Sequence, residues 1–208
     1  PSPDSGTKRI SLGEYEVFCD QKIAKGTFAS VYKGHNKREK IAIAAKAIKI
    51  HGTTDGEDIN HGLIKNEIES LQLLTDHVNI IQLSQHFCTG SSQVWLLMEF
   101  CDFGDMDRYF VKYNPDLSDR LLFAYQSASA IAYMHSRPRP KVHRDIKPKN
   151  ILVKSQNGRP VVKMADFSFA KIIDLDPASS RRYMQMNTVC GTFCFMAPEI
   201  FIGMPYTE

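Results

Sequence analysis

Between His143 and Asn150 the chain reads His-Arg-Asp-Ile-Lys-Pro-Lys-Asn, and the apolar run Ile151-Leu152-Val153 follows at once. This order places a carboxylate (Asp145), an ammonium (Lys147) and a carboxamide (Asn150) at fixed offsets just before a strand-like segment. Few chemistries want that trio together. Phosphoryl transfer does: it needs a group to orient the attacking hydroxyl, a cation for the γ-phosphate and an oxygen ligand for Mg²⁺. The plainer alternative is a loop that is merely rich in charge.

With 208 residues, 43% of them hydrophobic and 24% charged, the chain can hold one large domain or two small lobes with sizeable cores. The net charge of +3 comes without a basic stripe or polybasic tail, so nothing points to nucleic acid or a membrane surface as a partner. Five cysteines (Cys19, Cys88, Cys101, Cys190, Cys194) are odd in number and lack C-x-x-C spacing. They read as free thiols of an intracellular, cytoplasmic protein, not as a disulfide framework or a zinc site. No apolar run approaches membrane-spanning length. Residues 1–14 read as a polar lead-in with no signal-peptide core and no initiator Met.

From Tyr15 to about Phe100 the pattern is strand-like, with Ile41–Ile50 as a buried strand and Val94–Met98 as another. One helix interrupts it between Glu57 and Asp76, where Ile64, Ile68 and Leu71 recur at helical spacing. Beyond a connection at Cys101–Asp105 the character changes. Ser118 is expected to cap a long helix with Leu121, Leu122, Tyr125, Ala128, Ile131 and Ala132 on its inner face. Ile151–Val153 and Val161–Met164 are short strands joined through Asn157-Gly158, a strong hairpin-turn dipeptide. The expected class is α+β.

The spacing His-Arg-Asp-x-Lys-x-x-Asn resembles the catalytic loop of protein kinases, and further motifs of that family follow in order along nearly the whole chain. The resemblance implies a two-lobed fold, with an antiparallel-sheet N-lobe over about 15–100, a hinge over about 99–105, a C-lobe from 106 and a ligand cleft between lobes. It implies ATP and Mg²⁺ as cofactors. Ile23-Ala24-Lys25-Gly26-Thr27-Phe28-Ala29-Ser30-Val31 resembles the glycine-rich loop, but only Gly26 survives; Ala24 and Ala29 stand at the outer positions, so a weaker phosphate cover is expected. Lys46, with Lys49 as a rival, would hold the α- and β-phosphates while paired with a helix glutamate. Glu67 is the expected partner and Glu69 the solvent-facing alternative. Met98 would be the gatekeeper, backbone groups of Glu99 and Cys101 would bind adenine, Val31, Ala44 and Leu152 would sandwich it, and Asp105 would reach the ribose. Asp102-Phe103-Gly104 spells the metal-binding motif too early in the chain. The later Asp166-Phe167-Ser168 occupies the family's position for it, with serine in place of glycine.

On the same resemblance, Asp145 is the catalytic base, Lys147 steadies the γ-phosphate, and Asn150 and Asp166 hold Mg²⁺. Leu71, Leu83, His143 and Phe167 would stack as a hydrophobic column. From Asp166 to Ala197-Pro198-Glu199 runs an activation segment, in which Thr188 is the first candidate phosphosite and Ser179 and Ser180 the next. Arg144 would bind the phosphate, added by an upstream kinase or by trans-autophosphorylation. Thr192, with Lys147, implies a serine/threonine acceptor on a protein substrate. Phrases such as Gly26–Tyr32, Met98–Cys101, Ala165–Lys171 and Val189–Glu199 are similar to the ULK-type autophagy-initiating kinases. A whole kinase domain continues in helix past Ala-Pro-Glu, so the resemblance implies a C-terminally truncated domain, poorly stable alone. Two alternatives stay open. Ala24, Ala29 and Ser168 favour a catalytically weak pseudokinase serving as an ATP-binding scaffold, and an aminoglycoside-type small-molecule kinase shares the Asp and Asn spacing without the Ala-Pro-Glu segment.

Overall fold

The computed structural model describes residues 8–26, 29–50, 59–90, 92–172 and 191–204. The chain divides into two compact units, Pro1–Ile68 with Gln82–Phe100, and Glu69–Ile81 with Cys101–Glu208.

The first unit is built on strands β1 (Arg9–Leu12), β2 (Tyr15–Lys25), β3 (Ala29–Asn36), β4 (Ala42–Lys49), β5 (Leu83–Thr89) and β6 (Gln93–Glu99). They form one antiparallel sheet in the order β1-β2-β3-β4-β6-β5. The period of two along β4 and β6 sorts their side chains into two layers. Ile43, Ala45 and Ala47, with Trp95 and Leu97, enter a core with Leu12 and Val17. Ile48, with Val94 and Leu96, turns to the opposite face and packs against Ile64 and Ile68 of helix α1 (Ile59–Leu73). From Glu69 onward α1 belongs to the second unit. Residues before Tyr15 depart from the expected polar lead-in. Ile10 and Leu12 alternate with polar neighbours, and pairing with β2 buries Leu12 and packs Ile10 on the same core, so the segment becomes a sheet edge.

The second unit holds β7 (Gly104–Asp105), α2 (Met106–Tyr113), α3 (Leu117–His135), β8 (Lys141–Val142), β9 (Ile151–Gln156), β10 (Arg159–Met164), β11 (Lys171–Ile172) and the short α4 (Pro198–Phe201). β10, β9 and β7 form a three-stranded sheet, and β11 pairs with β8. Asn157 and Gly158, with φ of 52° and 75°, make the expected tight turn between β9 and β10. The core gathers Tyr109, Phe123, Ile151, Val153 and Val162, with Phe103, Met106 and Phe110 against it.

Helix α3 departs from expectation at its start and in its facing. Asp116, not Ser118, is the N-cap, its Oδ1 accepting from the Asp119 N–H at 2.8 Å. Phe123, Ala130 and Met134 are buried, whereas Leu121, Leu122, Tyr125, Ala128 and Ala132 are exposed. The cause is specific contact. Phe123 packs its ring on Tyr109 and Phe110, and Gln126 accepts from the Val162 N–H at 2.7 Å, which together fix the rotation of a helix that carries apolar residues all round.

Candidate active site

In the first unit, Lys46 lies in β4 on the layer that faces α1, opposite Val31 on one side and Leu96 on the other. Glu67 comes one helical turn after Ile64, so the packing that buries Ile64 also carries the glutamate inward. The Lys46 ammonium donates to Glu67 Oε1 and Oε2 at 2.7 and 2.9 Å. The Glu67 side chain is only 3% exposed. Lys49 is odd in the strand alternation and exposed, as is Glu69. Ile23 and Ala24 lie on β2, Ala24 pairing with Val31, and the Gly26 N–H closes the hairpin onto the Ala29 carbonyl at 2.8 Å. Ala44 pairs with Met98, and Glu99 ends β6 with its carboxylate accepting from the Gln82 N–H. Thr27 and Phe28 lie outside the described residues.

In the second unit, β8 delivers the chain into residues 143–150. Asp145 is buried, and each of its carboxylate oxygens is addressed. Thr192 Oγ1 donates to Oδ1 at 2.8 Å; the Lys147 ammonium and the Asn150 amide donate to Oδ2 at 2.7 and 2.9 Å. Asn150 also donates to the Asp145 carbonyl at 2.9 Å, so its nitrogen is fully used and the amide oxygen is the atom left for a ligand. Lys147 reaches Thr192 Oγ1 at 2.6 Å, completing a triangle in which the threonine hydroxyl accepts from the lysine and donates to the aspartate. Gly191 lets Thr192 come this close: with φ of 111°, a Cβ there would stand 2.6 Å from the Arg144 carbonyl oxygen. Sequence reasoning did not single it out, although its place directly before Thr192 is the available signal.

Burial raises the Asp145 carboxyl, but hydrogen bonds from Lys147, Thr192 and Asn150 and the Lys147 charge outweigh it, so the group sits below its ordinary value and is ionised at neutral pH. His143 moves the same way for a different reason. It is buried, its Nε2 contacts the Ala165 carbonyl at 3.0 Å and its ring lies 5.0 Å from Phe167; desolvation lowers its value and keeps it neutral. Both depressed values carry stability that exists above the unfolded pKa and is lost as pH falls, from 6.5 downward for His143 and from 3.8 downward for Asp145. The urea midpoint of the chain is therefore expected to be lower at about pH 5.5 than at about pH 7.5. Equal midpoints would contradict this.

The segment after β10 lies beside the same loop. The Ala165 N–H donates to the Asn150 carbonyl at 2.9 Å, Phe167 is fully buried, and Arg144 Nε donates to the Phe169 carbonyl at 2.7 Å. Asp166 and Arg144 both have left-handed backbones, with φ of 63° and 66°. Such strain persists only where surrounding contacts hold it. Of the expected hydrophobic column, His143 and Phe167 touch; Leu71 is fully buried, and Leu83 belongs to the other unit. Leu152 lies on β9 and Cys101 is buried, its carbonyl accepting from the Gly104 N–H at 3.2 Å. Asp105 caps α2, accepting from the Arg108 N–H at 2.9 Å and pairing with its guanidinium at 3.3 Å, so a ribose would have to share an occupied carboxylate. The early Asp102-Phe103-Gly104 is structural: Asp102 accepts from the Ser155 N–H at 2.9 Å and Phe103 packs against the core. Thr188, Ser179 and Ser180 lie outside the described residues.

Among the described residues no group of three or more His, Cys, Asp or Glu could hold a metal by itself. The oxygen donors of Asn150 and Asp166 nonetheless suit Mg²⁺, which is usually held by one or two carboxylates together with substrate phosphates. The four described cysteines are free, and no described helix is long and apolar enough to cross a membrane.

Residues 18–208 match the family described as protein kinase domain. An Aurora kinase of Candida glabrata is 35% identical over 205 residues, covering 96% of this chain and 51% of that protein. The serine/threonine-protein kinase ULK1 of Homo sapiens is 33% identical over 208 residues, 94% of this chain and 18% of its own length. The serine/threonine-protein kinase atg1 of Dictyostelium discoideum is 31% identical over 199 residues, 94% of this chain and 28% of its own. The chain thus spans about half the length, or less, of these relatives.

Proposed function

This chain belongs to the protein kinase family, and on that premise we propose that it transfers the γ-phosphate of ATP to serine or threonine side chains of proteins. The observation that carries the reading is the closed network around Asp145, in which Lys147, Thr192 and Asn150 all point donors at one buried carboxylate. A carboxylate held in that way is a weak base with a fixed direction. Its task is first to orient the acceptor hydroxyl, and to take the proton as the oxygen bonds to phosphorus. Two of the three Lys147 protons are engaged, on Asp145 and Thr192, which leaves the third for a γ-phosphoryl oxygen. Lys46, steadied by Glu67, holds the α- and β-phosphates. Asn150 and Asp166 supply oxygen ligands to Mg²⁺, which when bound neutralises the charge developing on the phosphates. Thr188 is the segment's phosphosite and Arg144 its receptor; the ULK-type phrases make autophagy signalling the candidate setting.

A catalytically weak pseudokinase serving as an ATP-binding scaffold is the reading that Ala24, Ala29 and Ser168 favour. The complete network argues against it, because nothing in nucleotide holding alone calls for Lys147 and Thr192 to converge on Asp145. Peptides differing only in their acceptor residue test the assignment: labelling of serine and threonine but not tyrosine peptides is expected. Tyrosine labelling, or labelling of none, would overturn it.

A further inference from the structure

The Ser168 side chain makes a contact that its position in the sequence does not announce. Its hydroxyl lies 2.9 Å from Asp166 Oδ1 and donates to it. Ser168 is not among the residues with positive φ, so the turn at 168–169 accommodates a side chain there without strain. The left-handed residue is Asp166 itself, whose backbone conformation an L residue adopts at a cost. The backbone around it is pinned at the Ala165 N–H and carbonyl, and by the turn from the Ala170 N–H to the Phe167 carbonyl at 3.0 Å. None of those bonds settles the rotation of the Asp166 carboxylate about its own side chain. The Ser168 hydroxyl bears on it directly, engaging one lone pair of Oδ1.

We infer that Ser168 is a positioning residue for the divalent cation: its hydroxyl fixes the Asp166 carboxylate in the orientation that ligates the metal. The inference rests on the reading of Asp166 as a metal ligand. Two effects of the hydrogen bond oppose each other. It withdraws some charge from the carboxylate, which weakens a ligand, and it removes rotational freedom, which strengthens one. Partners that orient metal-ligating groups in this way typically contribute about 10–100-fold to affinity, so orientation is expected to win. If Ser168 only stiffened the backbone, alanine would serve as well.

The test is binding, without turnover. Affinity of the full chain for a non-hydrolysable ATP analogue is measured in EDTA and across a Mg²⁺ titration, for the parent, Ser168→Ala, Ser168→Thr and Asp166→Asn. The expected result is a Mg²⁺ midpoint raised about 10-fold in Ser168→Ala, restored near the parent value in Ser168→Thr, with analogue affinity in EDTA unchanged in both. Ser168→Gly, which also lacks the hydroxyl, carries the same expectation and replaces alanine if that variant does not fold. A midpoint that stays or falls in the hydroxyl-less variants, while Asp166→Asn abolishes the Mg²⁺ response, overturns the positioning role alone. A parent with no Mg²⁺ response, or an Asp166→Asn chain that responds as the parent does, overturns the metal-ligand reading and this inference with it.

Discussion

Asp145→Asn is expected to lower phosphoryl transfer by about 10²–10⁴-fold, the range of a positioned acid–base group, with ATP binding retained. The substitution is nearly isosteric, but it removes the charge that three donors converge on. Thr192 keeps an acceptor if the amide oxygen takes the Oδ1 place, whereas Lys147 and Asn150 then face an amide nitrogen instead of an oxygen. The ammonium is thereby released from its 2.7 Å contact and the acceptor hydroxyl loses its guide. Steady-state transfer to a serine peptide, with nucleotide affinity measured on the same preparation, separates the chemical loss from unfolding. Transfer within a few-fold of the parent would mean that Asp145 is not the catalytic carboxylate.

Lys46→Met carries the largest expected effect on stability. Glu67 keeps a side chain that is 3% exposed and loses the ammonium at 2.7 Å. Removing one partner of a buried pair costs about 3–5 kcal/mol, a large share of the roughly 5–15 kcal/mol that holds a domain folded. Replacing both partners is another matter, because two well-packed apolar side chains need no compensation. The double change Lys46→Met with Glu67→Leu is therefore expected to recover most of the lost stability and none of the lost activity. Urea unfolding of the single and double variants checks the first part, and transfer assays the second. Equal stability of parent and Lys46→Met would show that the pair is not buried in solution.

The parts of this architecture that were legible in the chain are those where one local rule suffices. Offsets of two and five residues brought Asp145, Lys147 and Asn150 within one loop, and helical periodicity chose Glu67 over Glu69, since Ile64 and Ile68 mark the buried side. Asn157-Gly158 marked its own turn. What stayed hidden depends on distant contacts. The facing of α3 is decided by aromatic partners on α2 and by β10, and apolar residues on all its sides gave periodicity nothing to choose between. Ser118 and Asp116 are both good caps, and only the backbone geometry separates them. The short strand β1 is too brief to announce itself, and exists because β2 offers an edge. Ser168 stood out only as a departure from glycine; its bond to Asp166 is a matter of side-chain rotation that spacing does not encode.

Whether the chain transfers phosphate at all is decided by Mg²⁺- and ATP-dependent transfer to a protein substrate by the full chain beside Asp145→Asn, at equal ATP occupancy. Phosphoserine or phosphothreonine is expected with the parent and almost none with the variant. ATP bound equally by both, with phosphate transferred by neither, would contradict it and make the chain a nucleotide-binding scaffold.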